Sequence, residues 1–248
     1  MPSLPLTHWI LALVGATGIG VSKAGFSGMG LLHVLIFAFL FGAKDSTGVI
    51  LPMLVAADIL AVRSFRDHAR WDYLRRMLPP AFVGIVIGFL LMNRIDETSF
   101  KTLVGTIILA LTALQVWRTY HPHAFGRVPH SLAFAWAMGL IAGTTTMLAN
   151  AAGPIVTIYA LSVALPKFEL VGTSAWFFLI VNVTKIPFSA ALGLIHGQTL
   201  LMNLVLLPAV VGGLVTGRWL THRVPQRLFD GLLLTFAATA ALRLVGVW

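Results

Sequence analysis

The sequence predicts an all-α, polytopic membrane protein built from two inverted repeats. Each repeat is a broken, re-entrant helical hairpin followed by three transmembrane helices. Composition is the first observation behind this expectation. Hydrophobic residues make up 58 % of the 248 residues and charged residues only 10 %, against about 25 % charged in a soluble domain. So few charges cannot coat a globule, and the mean hydropathy of +0.91 agrees. The second observation is that the charges punctuate long apolar runs. The third is that two of these runs, at corresponding places in the chain, are each broken in the middle by small and polar residues.

The elements follow from the apolar runs between charges. The first segment covers residues 8–42, and the next three cover 46–62, 79–92 and 98–117. A polar loop rich in His, Pro and Arg ends at His130. The fifth segment covers 131–165, and the last three cover 170–194, 199–220 and 228–247. Residues 70–80, with Arg70, Trp71, Tyr73, Arg75 and Arg76, read as a short interfacial helix on the inner leaflet. The start of the chain has no basic stretch, so no cleavable signal peptide is expected.

The first and fifth segments are too long for one span and too short for two full ones. The break in the first runs from Gly18 to Gly30, and that in the fifth from Gly143 to Pro154. A slide of 123 residues pairs Gly20 with Gly143, Ser22 with Thr145, Ser27 with Asn150 and Gly30 with Gly153. The halves are then 1–120 and 131–248, joined by residues 121–130.

Charge bias tests the topology. If all eight segments cross, the basic residues divide evenly between the two sides. If the first and fifth are re-entrant, one side holds Arg63, Arg66, Arg70, Arg75, Arg76, Arg118, Arg127, Lys167, Arg218, Arg223 and Arg227. The other holds Lys44, Arg94, Lys101 and Arg243. Only the second arrangement obeys the positive-inside rule. It gives three crossings per half, and an odd number inverts the second half relative to the first. Both termini then lie outside the cytoplasm.

The candidate site follows from the breaks. Helices restarting after Ser27-Gly28-Met29-Gly30 and at Asn150-Ala151-Ala152-Gly153-Pro154 would aim free N–H groups and positive dipole ends at mid-membrane. Two such ends make an anion site. Lys23 lies inside the first break, and a charge at that depth is a functional candidate by default. Ser22, Lys23, Ser27, Gly28, Gly30, Thr145, Asn150, Gly153 and Asn182 are therefore the expected substrate contacts. Asp58 and Lys185, one from each half, are the expected coupling or gating pair. His33 reads as a satisfied core histidine. The chain has no cysteine, and its histidines lack ligand spacing, so neither a metal nor another cofactor is expected.

Gly20 to Gly30, Ala57-Asp58, Leu148 to Pro154, Val171 to Ser174 and Asn182 to Pro187 together resemble the sulfite exporter TauE/SafE family. The resemblance covers nearly the whole chain. It implies permeases for sulfite, sulfonates and related organosulfur anions, mostly in bacterial inner membranes. The family's usual glycine triplet appears here as Ser27-Gly28-Met29, and the Val-Pro often found after it as His33-Val34.

The expected function is secondary transport of small anions, sulfite or organosulfonates foremost, across a bacterial inner membrane by alternating access. The lipid bilayer and the anion are the expected partners, with protons as a candidate coupling ion and no role for nucleic acid. A passive anion channel would use the same half-helix site. A membrane-embedded enzyme is the third class, and no acid, base or metal constellation supports it.

Overall fold

The computed structural model describes residues 5–24, 29–121, 131–221 and 226–246. The described residues form α-helices and one 3-10 turn, with no strand. The first helices are α1 (Leu6–Lys23), α2 (Met29–Phe41) and α3 (Asp45–Phe65), the last running into the 3-10 turn Arg66–His68. Then come α4 (Trp71–Arg94), α5 (Glu97–Tyr120), α6 (Leu132–Ala149) and α7 (Gly153–Ser162). The chain ends with α8 (Lys167–Ala191), α9 (Gly197–Thr221) and α10 (Gln226–Val245). Helices satisfy their own backbone groups, which an apolar chain without water must do. Six of them are long and apolar enough to cross a membrane: α3, α4, α5, α6, α8 and α9. α2 and α7 are apolar but shorter.

Local chemistry sets several of the ends. Asp96 and Ser131 cap α5 and α6 by accepting the N–H groups of Ser99 and Phe134. Gly42, at φ +89°, lets the chain turn between α2 and α3. The separate interfacial helix expected over residues 70–80 does not form. Those residues are the first turns of α4, which runs unbroken through Pro79 and Pro80. The carbonyls that these prolines leave without a donor lie four residues back, at Arg75 and Arg76, in the charged end of the helix.

Glycines bring particular helices into contact. A Cβ on Gly20 of α1 would lie 2.0 Å from the Val210 carbonyl of α9, and one on Gly213 would lie 2.1 Å from the Thr17 carbonyl. The same happens between α6 and α4. A Cβ on Gly143 would lie 2.0 Å from the Ala81 carbonyl, and one on Gly84 would lie 2.3 Å from that of Leu140. Small residues at these points let backbones touch, which is how helices associate without a hydrophobic driving force. Further along, Gly217 of α9 meets Val21 and Ala24 of α1, while Gly139 of α6 meets Met77 and Gly88 of α4 meets Met147, so α1 runs parallel to α9 and α6 parallel to α4.

The hairpins and the centre run antiparallel. Gly15 packs on Phe37 and Gly18 on His33, so α2 folds back along α1. The Tyr159 ring, late in α7, lies 6.1 Å from Phe134 at the start of α6 and 6.3 Å from Tyr73 at the start of α4. α7 therefore returns along α6. At the centre α3 and α8 pack antiparallel, with Gly48 against Leu194 and Gly172 against Phe65. The Arg70 side chain reaches Glu169 at 3.0 Å across one end of this pair.

Candidate functional site

The ends of α1 and α6 converge on the middle of α3 and α8. Asp58 of α3 is fully buried. Its Oδ1 lies 2.5 Å from the Lys23 ammonium at the end of α1. Its Oδ2 accepts a 2.7 Å hydrogen bond from the Asn182 amide of α8. One helical turn later Lys185 is also buried, at 1 % exposure. Its Nζ donates to Asn182 Oδ1 at 3.1 Å, to Thr146 Oγ1 at 3.2 Å and to Asn150 Oδ1. Asn150 Nδ2 donates in turn to the Thr47 carbonyl at 3.0 Å. Asp58 and Lys185 thus do not pair directly. The Asn182 amide stands between them, giving its N–H to one and its oxygen to the other.

Each member owes its place to the local fold. Asn182 and Lys185 sit three apart on one face of α8. Asn150 ends α6 in the left-handed conformation, at φ 52°, which asparagine tolerates. It therefore terminates α6 rather than capping α7, and both ends of its amide are engaged. α7 starts instead from Ala152 with no side-chain cap, and Pro154 lies in its first turn as expected.

The cluster carries two ammonium groups against one carboxylate. It borders a cavity of about 580 Å³. Lys23, Ser22, Gly30, His33, Thr146, Asn150, Gly153, Thr157, Ser174, Phe178, Asn182 and Arg118 are in its wall. No acidic side chain is among the described wall residues. The Lys23 ammonium lies 4.6 Å above the Phe178 ring, a cation–π position. Gly30 and Gly153 lie in the first turns of α2 and α7, and among the described residues a Cβ added at either would meet nothing within 4 Å. The first N–H groups of a helix have no partner inside it, and here the described residues leave the adjoining space free. The paired glycines therefore divide into two kinds. Gly20 and Gly143 hold helices together, whereas Gly30 and Gly153 leave room at the cavity.

Of the residues expected from the sequence, Ser22, Lys23, Gly30, Asn150, Gly153 and Asn182 meet at this cavity. Ser27 and Gly28 lie outside the described residues. Thr145 gives its hydroxyl back to the Ile141 carbonyl at 2.8 Å, and its neighbour Thr146 takes the cavity position. Arg118, Thr157 and His33 are cavity residues that the sequence reading did not place there. Helical spacing would have found His33, which lies one turn past Gly30. Nothing local marks Arg118, which comes from the far end of α5.

The family model described as Sulfite exporter TauE/SafE matches residues 11–244. The chain belongs to this family. No curated protein and no solved structure matches it. TauE/SafE proteins are membrane transporters of sulfite and related anions, and this TauE/SafE chain is a multi-pass membrane protein with a cationic cavity at its centre.

Proposed function

We propose that this protein is a secondary carrier of small oxyanions, sulfite or organosulfonates foremost, that works by alternating access in a bacterial inner membrane. The cavity is the observation that carries the reading. It is cationic, has no acid among its described wall residues, and is bordered by two helix starts with open glycines. Anion oxygens would accept hydrogen bonds from the N–H groups that begin α2 and α7, and a charge-assisted bond from Lys23. Low polarity around the site strengthens every such contact.

We read the crossings as α3, α4, α5, α8, α9 and α10, with α1–α2 and α6–α7 as re-entrant hairpins entering from opposite faces. The exchange of partners supports two inverted repeats, since α1 lies along α9 as α6 lies along α4. The return of Tyr159 to Phe134 and Tyr73 supports re-entry of the second hairpin on the arginine-rich face. Arg118 and the α7–α8 connection at Leu165 border the cavity on that same face. The state described is then the one open to the cytoplasm, with both termini periplasmic. A second cavity of about 940 Å³ lies beyond α2, beside Glu97, Lys101 and Arg243. Two vestibules with a hairpin between them suit a carrier better than a continuous pore.

The polar chain gives the switch its coupling. An arriving anion competes with Asp58 for Lys23. Asp58 then depends on Asn182, and Asn182 is held by Lys185. The anion thereby acts on α1 and α3 of one half and on α6 and α8 of the other.

Flux in proteoliposomes tests the reading. Sulfite uptake that saturates and shows counterflow is expected. Linear flux without counterflow would make the protein a channel. Because the chain has no cysteine, single substitutions report topology cleanly. Lys44→Cys should label only from the periplasm and His121→Cys only from the cytoplasm, and the reverse pattern would overturn the orientation.

A further inference from the structure

His33 is the cavity residue that the transport reading leaves unused. It lies on α2, one turn past Gly30, and is 2 % exposed. Its Nδ1 stands 3.1 Å from the Met29 carbonyl. A carbonyl oxygen only accepts, so Nδ1 carries the ring proton. A neutral imidazole has one N–H, which leaves Nε2 as a bare acceptor. Nε2 is buried and has no hydrogen-bond partner among the described residues. Among the described residues of the cavity wall, His33 is the one with a buried side-chain atom in that condition. The wall therefore holds donors, at Lys23 and the helix starts, and one buried acceptor without a donor among the described residues, which is closed to the cavity until the His33 ring turns.

A fully deprotonated oxyanion offers only acceptors. Its oxygens suit Lys23 and the N–H groups, but they would meet the Nε2 lone pair with repulsion. An oxyanion that carries one O–H satisfies both sets of groups at once. Its O–H donates to Nε2 while its remaining oxygens accept.

We propose that His33 is a specificity-determining residue that selects a singly protonated oxyanion, of which hydrogensulfite is the example the family suggests, over anions without an O–H. The inference rests on the anion-carrier reading and deepens it, because it divides sulfite from the sulfonates. Lys23 on α1 and Arg118 on α5 share the cavity wall with His33, and Asp58 on α3 and Lys185 on α8 lie behind Lys23 in the polar cluster. Arg243 on α10 lies at the second cavity, beyond α2. Any of these could impose its own pH dependence, so the test compares two anions at each pH. Titration of the shared groups cancels in their ratio.

The full chain in detergent is titrated with sulfite and with methanesulfonate, which has no O–H, across the range in which sulfite loses its second proton. Binding is read by calorimetry. The sulfite-to-methanesulfonate affinity ratio should fall about tenfold per pH unit once sulfite is mostly deprotonated. In His33→Phe the ratio at the acidic end should drop about tenfold, the worth of one hydrogen bond, and its pH slope should vanish. A ratio in the parent protein that does not change with pH overturns the proposal, and this holds even where the variant fails to fold. A variant that keeps the slope overturns it too, since charge alone would then explain the preference. If neither anion binds the parent protein, the carrier reading itself falls and this inference with it.

Discussion

Replacing Lys23 by methionine should destabilise the protein, although an ammonium at membrane depth is costly in itself. The cause is Asp58. Its carboxylate is fully buried, with one oxygen 2.5 Å from Lys23 and the other 2.7 Å from Asn182. Lys23→Met leaves the first oxygen without its cation, and removing one partner of a buried pair costs about 3–5 kcal/mol. Lys185 stands behind Asn182 and offsets part of this, so the expected loss is near 3 kcal/mol. For a chain of this size that is a fall in Tm on the order of 10 °C. Asp58→Asn in the same background removes the stranded charge and keeps a partner for Asn182. The double variant should recover to within about 1 kcal/mol of the parent, which makes the coupling about 2 kcal/mol plus whatever Asp58→Asn costs alone. Thermal unfolding in detergent, followed by tryptophan fluorescence, measures all four corners of the cycle. Transport measured in parallel should stay lost in the double variant, because the anion contact at Lys23 is gone. A Lys23→Met protein as stable as the parent would refute the ion pair, and a double variant transporting at the parent rate would remove Lys23 from the anion's path.

Four further outcomes are expected. Gly20→Ala and Gly143→Ala should express poorly or unfold early, because each methyl would fall 2.0 Å from a neighbouring carbonyl oxygen. Gly30→Ala and Gly153→Ala should melt with the parent, yet lose anion affinity by about tenfold in a binding titration as the methyl enters the cavity. The Asp96 carboxyl is held below the usual carboxylate range by the Ser99 N–H and hydroxyl at the start of α5. A lowered native pKa means stability that is present above the unfolded value and lost as pH falls through the native one. Asp96→Asn should therefore lower Tm near neutral pH, with a difference from the parent that shrinks on acidification. Glu169→Gln breaks a partly exposed bridge to Arg70. It should cost less than about 1 kcal/mol in thermal unfolding, and that difference should fade with added salt.

Much of the site was legible before folding because lipid leaves few innocent places for polar residues. Lys23, Asp58, Asn182 and Lys185 stand out in apolar runs, and all four meet in one cluster. The breaks at Gly30 and Gly153 were legible for the same reason, as irregular backbone needs a wet or protein-lined place. What could not be read was partnership. Asp58 and Lys185 lie in corresponding helices of the two halves, and the sequence left open whether they pair. The observed partner of Asp58 is Lys23, because α1 ends at the level of Asp58, and the Asn182 amide fills the remaining gap. Asn150 was expected at the restart of the second broken helix and as a substrate contact. Its left-handed backbone turns it into the end of α6, where Lys185 and the Thr47 carbonyl occupy its amide.

The sequence by itself determined that this chain lives in a membrane and marked Lys23, Asp58 and Lys185 as charges set inside apolar runs. Hydropathy and charge placement act locally, and a charge at membrane depth is costly enough to stand out before its partners are known. The tertiary structure decided which glycines pack and which face open space, a distinction that depends on a backbone some two hundred residues away for Gly20 and Val210. It also decided that Arg118, from the far end of α5, shares a cavity with Lys23. Those choices depend on how helices from both halves dock against one another, and no spacing along a single helix encodes that.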